Sequence, residues 1–339
     1  MKRQRIGTIL AAGAAAIVAV PVPGAMANAA LGPGEQLQVA LSPARPLAAA
    51  DGGVSAAAVC NRYNRTQVCQ SVTFRVNVLR NRRPVGYLTG HITQAIVFNT
   101  KSRSFRENFA LKTTGVHGQA GGVRETLAVS CGGGCKARSG VPAGRVLHTG
   151  ATIKGKITYA DGVRPGKVHS TASRYTLTFT KPGYTPGAVS WTSIGYRCDD
   201  TIKTQRPGCV IPRYAPTMTA MRKLPHIAAN IRRIQTRGPG HYGRPGSGHP
   251  LHRLTDKKQQ NDNRRAVCGR KVVGPPPRPG VSCDEYPFAS SREGGTKLGK
   301  KDRGTAWVPS SEQNKQAGYI TSSHNAQRVL NGDAFYVSV

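Results

Sequence analysis

The chain has 339 residues, with 49 Lys and Arg against 15 Asp and Glu, and its formal net charge is +34 at pH 7. So large a positive excess favours an anionic partner, nucleic acid first of all, because binding releases the counterions that surround a polyanion. Solubility, or adhesion to an anionic cell wall or membrane surface, is the alternative use of this charge. Beyond the N-terminus no segment is apolar enough to span a bilayer, so we expect no stable membrane association.

The N-terminus, residues 1–29, has the pattern of a secretory signal peptide. Basic residues open the chain, an Ala-rich apolar run follows over 6–22, and small-x-small cleavage sites lie within 25–29. A membrane anchor is the alternative, but prolines interrupt the run and it is short for a spanning helix. The pattern predicts a secreted, extracellular protein.

Eight cysteines lie beyond that segment, and an even number agrees with export to an oxidising compartment. The sequence alone does not determine their connectivity, since eight cysteines allow many pairings. Their clustering predicts pairing between sequential neighbours: Cys60–Cys69, Cys131–Cys135, Cys198–Cys209 and Cys268–Cys283. A zinc site is the alternative at the second pair, whose spacing suits two thiolate ligands.

The first half of the chain has the alternation of strands. Residues 30–52 are rich in Ala, Pro and Gly without a clear period, and we predict a linker there. Residues 53–210 form the predicted β-rich domain, in which Gly- and Pro-rich turns separate the alternating segments. The clearest strand segments are 71–78, 92–98, 151–159, 175–180 and 188–196. Their spacing predicts an antiparallel sandwich or barrel, whose role the sequence leaves open.

Helical periodicity first occurs in the second half. Apolar residues recur three and four positions apart from about 219 to 236, which predicts a helix with a core-facing stripe. Residues 237–250 are rich in Gly and Pro and predict a loop, in which His241 and His249 are either metal ligands or simply loop residues. Short strands and loops follow, and 318–330 can support a short helix before the final strand.

Acidic residues are scarce, yet three of them, Asp284, Glu285 and Glu293, lie between Cys283 and Gly295. A carboxylate cluster in so basic a protein would repel an anionic partner unless a cation neutralised it. A carboxylate-held metal within a basic groove is a common arrangement in nucleases. An ordinary acidic surface loop is the alternative.

The same segment, CysAspGluTyrPro…GluGlyGly over 283–295, resembles the motif of the NucA/NucB family of secreted bacterial deoxyribonucleases. Upstream, 224–231 resembles the opening helix of that family, and AspAsnArgArg at 262–265 resembles its Arg-Arg segment. Downstream, Asn314 and Gly318 fall where the family has an Asn followed by a Gly.

The resemblance covers about residues 215–339 and implies a nuclease domain there. The implied fold class is α+β: a β-rich, sandwich- or barrel-like N-terminal domain followed by a small nuclease domain of the ββα-metal type. The implied cofactor is a divalent cation, Mg²⁺ or Mn²⁺, because oxygen ligands select such hard ions. The implied partner is a DNA substrate.

The resemblance also suggests roles for individual residues. The candidate catalytic residues are Asp284, Glu285, Arg264 and Arg265. The candidate metal ligands are Glu285, Glu293 and Asn314. Adjacent residues on a strand point to opposite faces, so only one of Asp284 and Glu285 can face the phosphate, and we expect Asp284 to be the general base. The two arginines either clamp the phosphate or pair with the domain's own acids.

The sequence therefore predicts a secreted, metal-dependent, sequence-nonspecific endodeoxyribonuclease that acts on extracellular DNA. Two alternatives remain: an inactive cationic protein that binds nucleic acid or cell surfaces, and the nuclease part of a secreted antibacterial toxin. All the acidic motif positions are filled, which argues against the first alternative. No toxin-type repeat array is visible, which argues against the second.

Overall fold

The computed structural model of the protein describes residues 34–42, 45–46 and 63–339. The predicted signal peptide, much of the predicted linker and Cys60 lie outside these residues. Within the described part of the chain, no helix is both long and apolar enough to cross a membrane.

Strands make up the N-terminal part, where the largest sheet curls into a half-barrel. In chain order the strands are β1 Gln36–Leu41, β2 Arg45–Pro46, β3 Gln67–Arg80, β4 Arg83–Val97, β5 Ser104–Gly118, β6 Arg124–Cys131, β7 Lys136–Ser139, β8 Arg145–Val146, β9 Thr152–Ala160, β10 Val168–Thr171, β11 Ser173–Lys181, β12 Tyr184–Thr192, β13 Tyr196–Asp199 and β14 Gly208–Val210. The described residues are mostly β, whereas the predicted class was α+β; the N-terminal part is β-rich, as predicted, and its largest sheet is barrel-like rather than a sandwich.

The large sheet has the strand order β7-β9-β5-β4-β3-β1-β12-β11-β6-β8, and β2 also pairs with β3. Strand β1 is antiparallel to β3 along its whole length and parallel to β12. This strand, Gln36–Leu41, lies inside the predicted linker 30–52, so the linker prediction is wrong for these residues. The short alternating sequence GlnLeuGlnValAlaLeu was overlooked because it is surrounded by Ala- and Pro-rich sequence.

Alternation along β3 explains why these residues form a half-buried strand. Val72, Phe74, Val76 and Val78 are buried, while most of the residues between them are partly or fully exposed. Period-two alternation puts every second side chain on the concave face. The resulting core is continuous across the half-barrel and includes the ring of Phe179, which lies 5.4 Å from that of Phe74.

The C-terminal part mixes short strands with helices around a separate core. Its elements are β15 Thr217–Met218, a 3₁₀ turn Ala220–Lys223, α1 Pro225–Arg237, β16 Leu251–His252, α2 Lys257–Cys268, α3 Arg270–Val273, β17 Val281–Tyr286, β18 Gly304–Pro309, α4 Ser310–Ala326 and β19 Ala334–Val337. Strands β17 and β18 form an antiparallel hairpin, against which α1, α2 and α4 pack.

Two predicted helices differ from the observed ones. The helix predicted for 219–236 is interrupted at Leu224, and α1 begins at Pro225, because proline disfavours helical backbone in the residue before it. The short helix predicted for 318–330 is instead α4, which begins at Ser310. Its buried positions are four residues apart but polar in three cases, Glu312, Gln316 and His324, so apolar periodicity did not reveal its first turns.

Disulfides form between sequential neighbours, as predicted. Cys131–Cys135, Cys198–Cys209 and Cys268–Cys283 are bonded. The disulfide at the first of these pairs excludes the zinc alternative there. Cys69 is also disulfide-bonded, and its predicted partner Cys60 lies outside the described residues.

Five charged residues join the two parts of the chain, and we call them the arginine clamp. The guanidinium groups of Arg65 and Arg197 both bind the carboxylate of Asp333, at 2.5 and 2.7 Å. The guanidinium of Arg328 binds Asp199, with Nη2–Oδ1 at 2.5 Å and Nε–Oδ2 at 2.8 Å. The clamp therefore connects residues near β3 and on β13 to the turn between α4 and β19.

The clamp is buried, so its charges depend on one another. Arg65 and Arg328 are among the largest fully buried side chains, and each also donates to backbone carbonyls. Removing one partner of a buried ion pair leaves an uncompensated charge in a medium of low dielectric constant. In the observed packing of the two parts, each of these charges has an oppositely charged partner.

We expect Arg328→Met to lower the free energy of unfolding by about 3–5 kcal/mol, because it leaves Asp199 buried without its cation. Urea denaturation followed by circular dichroism measures the change. Lys258→Met is the matched control, since Lys258 is 87% exposed and its pair with Asp262 contributes less than about 1 kcal/mol. Equal effects of the two substitutions would contradict the role of the clamp.

The clamp also predicts a loss of stability in acid. Burial alone would raise the pKa of Asp333, but hydrogen bonds and charge from Arg197 and Arg65 outweigh it and hold that pKa below its usual value. The carboxylate therefore stabilises the fold above the unfolded pKa, roughly 3.9, and this contribution disappears as pH falls through the lower folded pKa.

Asp333→Asn should accordingly reduce the free energy of unfolding most at neutral pH, and the difference from the wild type should shrink below about pH 4. Urea denaturation as a function of pH measures this. Asp262→Asn, at an exposed carboxylate, serves as the control. A difference between Asp333→Asn and wild type that did not change with pH would contradict the ion pairing.

Candidate active site

The β17–β18 hairpin separates the two acidic side chains of the motif. Asp284 pairs with Ala306 and Glu285 with Thr305, in regular antiparallel register. Consecutive strand residues point to opposite faces, so the two carboxylates have different neighbours. The Cys268–Cys283 disulfide ties the end of α2 to the residue before Asp284 and so fixes the helix against this strand.

Asp284 lies in the interior between α1 and α4. Its Oδ2 accepts a hydrogen bond from Nδ2 of Asn230 at 2.8 Å, and its Oδ1 accepts one from Nε2 of Gln316 at 2.8 Å. Burial raises the pKa of Asp284 to about 6, although both amide hydrogen bonds oppose the shift. The carboxylate is fully buried, so solvent does not reach it directly.

Glu285 lies on the other face, against α2. Its Oε2 accepts a hydrogen bond from Nη1 of Arg264 at 2.6 Å, and Nη2 of Arg264 donates to the carbonyl of Cys283 at 2.8 Å. Burial raises the pKa of Glu285 to about 7, even though the charge of Arg264 opposes the shift. Arg264 thus pairs with one of the domain's own acids while remaining partly exposed.

A groove of about 300 Å³ runs between α2 and α4, and Glu285 forms part of its wall. Its polar lining includes Arg253, Arg264, Glu285, Gln313, Gln316 and His324. Asp284 does not line the groove and reaches it only through its hydrogen bond to Gln316. Of the two adjacent acids, Glu285 is therefore the one that a ligand in the groove can contact.

A chain of side-chain amides leads from Asp284 to the groove. Because the carboxylate can only accept, it binds the NH₂ group of Gln316, whose Oε1 then accepts from Nε2 of Gln313 at 2.8 Å. This order leaves Oε1 of Gln313 buried without a hydrogen-bond partner among the described residues. Asp284 thereby fixes the orientation of an acceptor oxygen in a residue that lines the groove.

His324 is a second groove residue with an unsatisfied atom. Its Nε2 is buried and has no hydrogen-bond partner in the described part of the chain, and its ring lies edge-on to Phe335. Burial, followed by the charge of Arg253, lowers the pKa of His324 to about 3. The imidazole is therefore neutral at physiological pH and adds no charge to the groove.

The other predicted site residues have different surroundings. The Oε1 of Glu293 lies 2.7 Å from Nδ1 of His252, and its Oε2 accepts from the backbone N–H of His252 at 2.8 Å. Asn314 is exposed on α4, and Arg265 is exposed on α2, 4.0 Å from Asp262. Among the described residues, no three His, Cys, Asp or Glu side chains are grouped so that they could hold a metal ion.

The predicted ligand set of Glu285, Glu293 and Asn314 is therefore not a ready-made metal cage. The groove nevertheless offers hard oxygen donors, the Glu285 carboxylate and the unpartnered Oε1 of Gln313. Magnesium commonly binds to only one or two protein oxygens and keeps several waters. Both residues line the same groove, and Gln313 precedes the Asn that the sequence suggested.

Several residues of the site were missed by sequence reasoning. Gln316 and Gln313 were overlooked because amide side chains on a helix usually indicate a solvated surface. Glu312 is also unexpected: its carboxylate accepts from the backbone N–H groups of His226 and Ile227 and so caps the start of α1. His252 gave no signal, because it lies in a two-residue strand and is far from Glu293 in sequence.

The predicted loop is confirmed over 238–250, while Arg237 is the last residue of α1. Its histidines are engaged locally. Nδ1 of His241 lies 2.7 Å from the carbonyl of Gln235, and Nδ1 of His249 lies 2.6 Å from the carbonyl of Gly240. Neither belongs to a group of metal ligands among the described residues.

Comparison with known families agrees with the resemblance seen in the sequence. Residues 245–338 match the family model Deoxyribonuclease NucA/NucB. The match confirms the predicted family for this C-terminal region and includes every predicted site residue, whereas α1 precedes it. Comparisons with curated proteins and with solved structures give no match.

Proposed function

We propose that the C-terminal region is the catalytic part of a secreted, metal-dependent endodeoxyribonuclease that hydrolyses DNA without regard to sequence. The observation that carries this proposal is a buried carboxylate, Glu285, beside Arg264 in a groove of the family-matched region. The net charge of +34 supports an anionic polymer as the substrate. Three disulfides are consistent with secretion.

The chain order supports the ββα-metal arrangement inferred from the sequence. Strands β17 and β18 and helix α4 follow one another, and α4 begins at the residue after β18 ends. Glu285 from the first strand and Gln313 from the helix line the same groove. In such an arrangement the strand supplies the carboxylate, and the helix supplies an oxygen donor to the same groove.

The groove residues suggest a division of labour in phosphodiester hydrolysis. Arg264 and Arg253 would bind the phosphate and stabilise the negative charge that increases in the transition state. Glu285 would accept a proton from the attacking water, since a pKa of about 7 suits a general base at neutral pH. This assignment differs from the sequence-based choice of Asp284, because Asp284 does not line the groove.

Oε1 of Gln313 would bind a hydrated Mg²⁺ or Mn²⁺ ion, and Glu285 would act on a water rather than bind the ion directly. When bound, such an ion polarises the phosphate and lowers the pKa of a coordinated water. Asp284 would act as a positioning residue, since its hydrogen bond to Gln316 determines which atom of Gln313 is left free.

The first test is the conversion of supercoiled plasmid to nicked and linear DNA. We expect cleavage with Mg²⁺ or Mn²⁺, and loss of cleavage in EDTA that is restored by excess metal. Binding to the plasmid without cleavage under all metal conditions would instead support an inactive cationic binding protein.

The second test separates the two carboxylates. We expect Glu285→Gln to slow cleavage by about 10²–10⁴ at saturating metal, because the proton acceptor is lost. Asp284→Asn should mainly raise the metal concentration needed for half-maximal rate, because it disturbs the orientation of Gln313. Asp262→Asn, at an exposed acid on α2, should leave both quantities unchanged. If Asp284→Asn slowed cleavage at saturating metal and Glu285→Gln only raised the metal requirement, Asp284 would be the general base.

A further inference from the structure

A second cavity adjoins the groove on the opposite side of Glu285. Its volume is about 360 Å³, and Glu285 contributes to the walls of both cavities. The apolar lining comes from α2, α3 and the segment after β17: Ala266, Val267, Val272, Val273 and Pro287. We call it the valine pocket. It is large enough for a small organic group, and its apolar walls suit a flat ring.

Two cationic residues complete the valine pocket, Lys300 and Arg303, both from the segment that leads into β18. The Nε of Arg303 is buried and has no hydrogen-bond partner among the described residues. A buried guanidinium donor without a partner is costly unless a ligand supplies an acceptor. The pocket therefore combines an apolar wall with two cationic side chains, which complements a nucleotide better than a purely apolar ligand.

Val272 is the most exposed of the large hydrophobic residues described in the chain, at 61%. It lies on α3, immediately before the Pro-rich turn that is covalently closed by the Cys268–Cys283 disulfide. The disulfide holds α2, α3 and β17 together without needing Val272 for the core. The exposed side chain of Val272 at the edge of the cavity is thus available for contact with a ligand.

We propose that the valine pocket is a nucleotide subsite of the DNA strand whose phosphate occupies the groove, an inference that rests on the proposed function. The base of the neighbouring nucleotide packs against Val272 and Val267, and Arg303 and Lys300 contact its phosphate. Because Glu285 lines both cavities, a strand that passes this residue can enter both. The base must leave its stack to enter the pocket, so single-stranded or locally opened DNA is the preferred substrate.

The test measures binding of the full chain to short single strands in EDTA, where metal-dependent cleavage is prevented. The probes are a fluorescent oligothymidylate and a strand of the same length that lacks bases. We expect the wild type to bind the oligothymidylate about tenfold more tightly, as base packing contributes that much in single-strand binding proteins. Val272→Glu should abolish this preference, and Val272→Ala should weaken it.

Val168→Glu is the matched control, because Val168 is an exposed valine on β10 and receives the same added charge. It should keep the tenfold preference while lowering affinity for both probes equally. Arg303→Gln should reduce the slope of log Kd against log salt by about 0.7, the loss of one phosphate contact on a single strand. Circular dichroism of each variant verifies that it is folded.

No preference for bases in the wild type, or a preference that survives Val272→Glu, would overturn the subsite. Plasmid cleavage by the same preparation separates this inference from the proposed function. If the preparation cleaves plasmid DNA but binds both probes equally, only the subsite proposal is contradicted. If the preference for bases depends on Val272 but no metal condition gives cleavage, the subsite is supported as a nucleotide-binding site. Only the proposed nuclease activity is then contradicted.

Discussion

The arginine clamp is the interaction on which the joining of the two halves depends. Arg65 and Arg197 approach Asp333 from the half-barrel side, and Arg328 reaches back to Asp199. The three arginines and Asp199 are buried and Asp333 is half-buried, so the desolvation of these charges is offset only when their partners are present. The junction uses charged residues of both halves.

The effect of the clamp extends to the groove through the turn that carries Asp333. The carbonyl of Asp333 accepts from the backbone N–H of Arg253, and the guanidinium of Arg253 donates to the carbonyl of Val329. Arg253 and His324 both line the groove, and both contact or adjoin this turn. Displacing the turn would therefore move the cationic wall opposite Glu285. Among the described residues, no side chain of the half-barrel lines the groove, and its connection to the groove runs through this turn.

Local sequence features were sufficient to predict much of this arrangement. The alternation of Val72, Phe74, Val76 and Val78 indicated strand β3, and the clustering of cysteines predicted the three disulfides that are described. The segment 283–295 identified the family that residues 245–338 match. In each case the information lies in neighbouring residues, where periodicity, spacing and a short motif are directly readable.

The remaining features depend on contacts between distant residues. Arg65 and Asp333 are separated by most of the chain, and an isolated arginine in a chain of many basic residues carries no signal of burial. Glu293 has the residue type of a metal ligand, yet its partner is His252, which only the fold brings near. The choice between Asp284 and Glu285 could not be made without knowing which face of β17 is covered by α4.

Hydrogen–deuterium exchange of the full chain, with and without a single-stranded oligonucleotide in EDTA, tests most directly that DNA is bound at the groove. The account predicts slower exchange in α2, in β17 and in the first turns of α4, with little change in the half-barrel strands. Protection confined to the half-barrel, with the groove elements unchanged, would contradict the account and move the DNA-binding surface to the β-rich part.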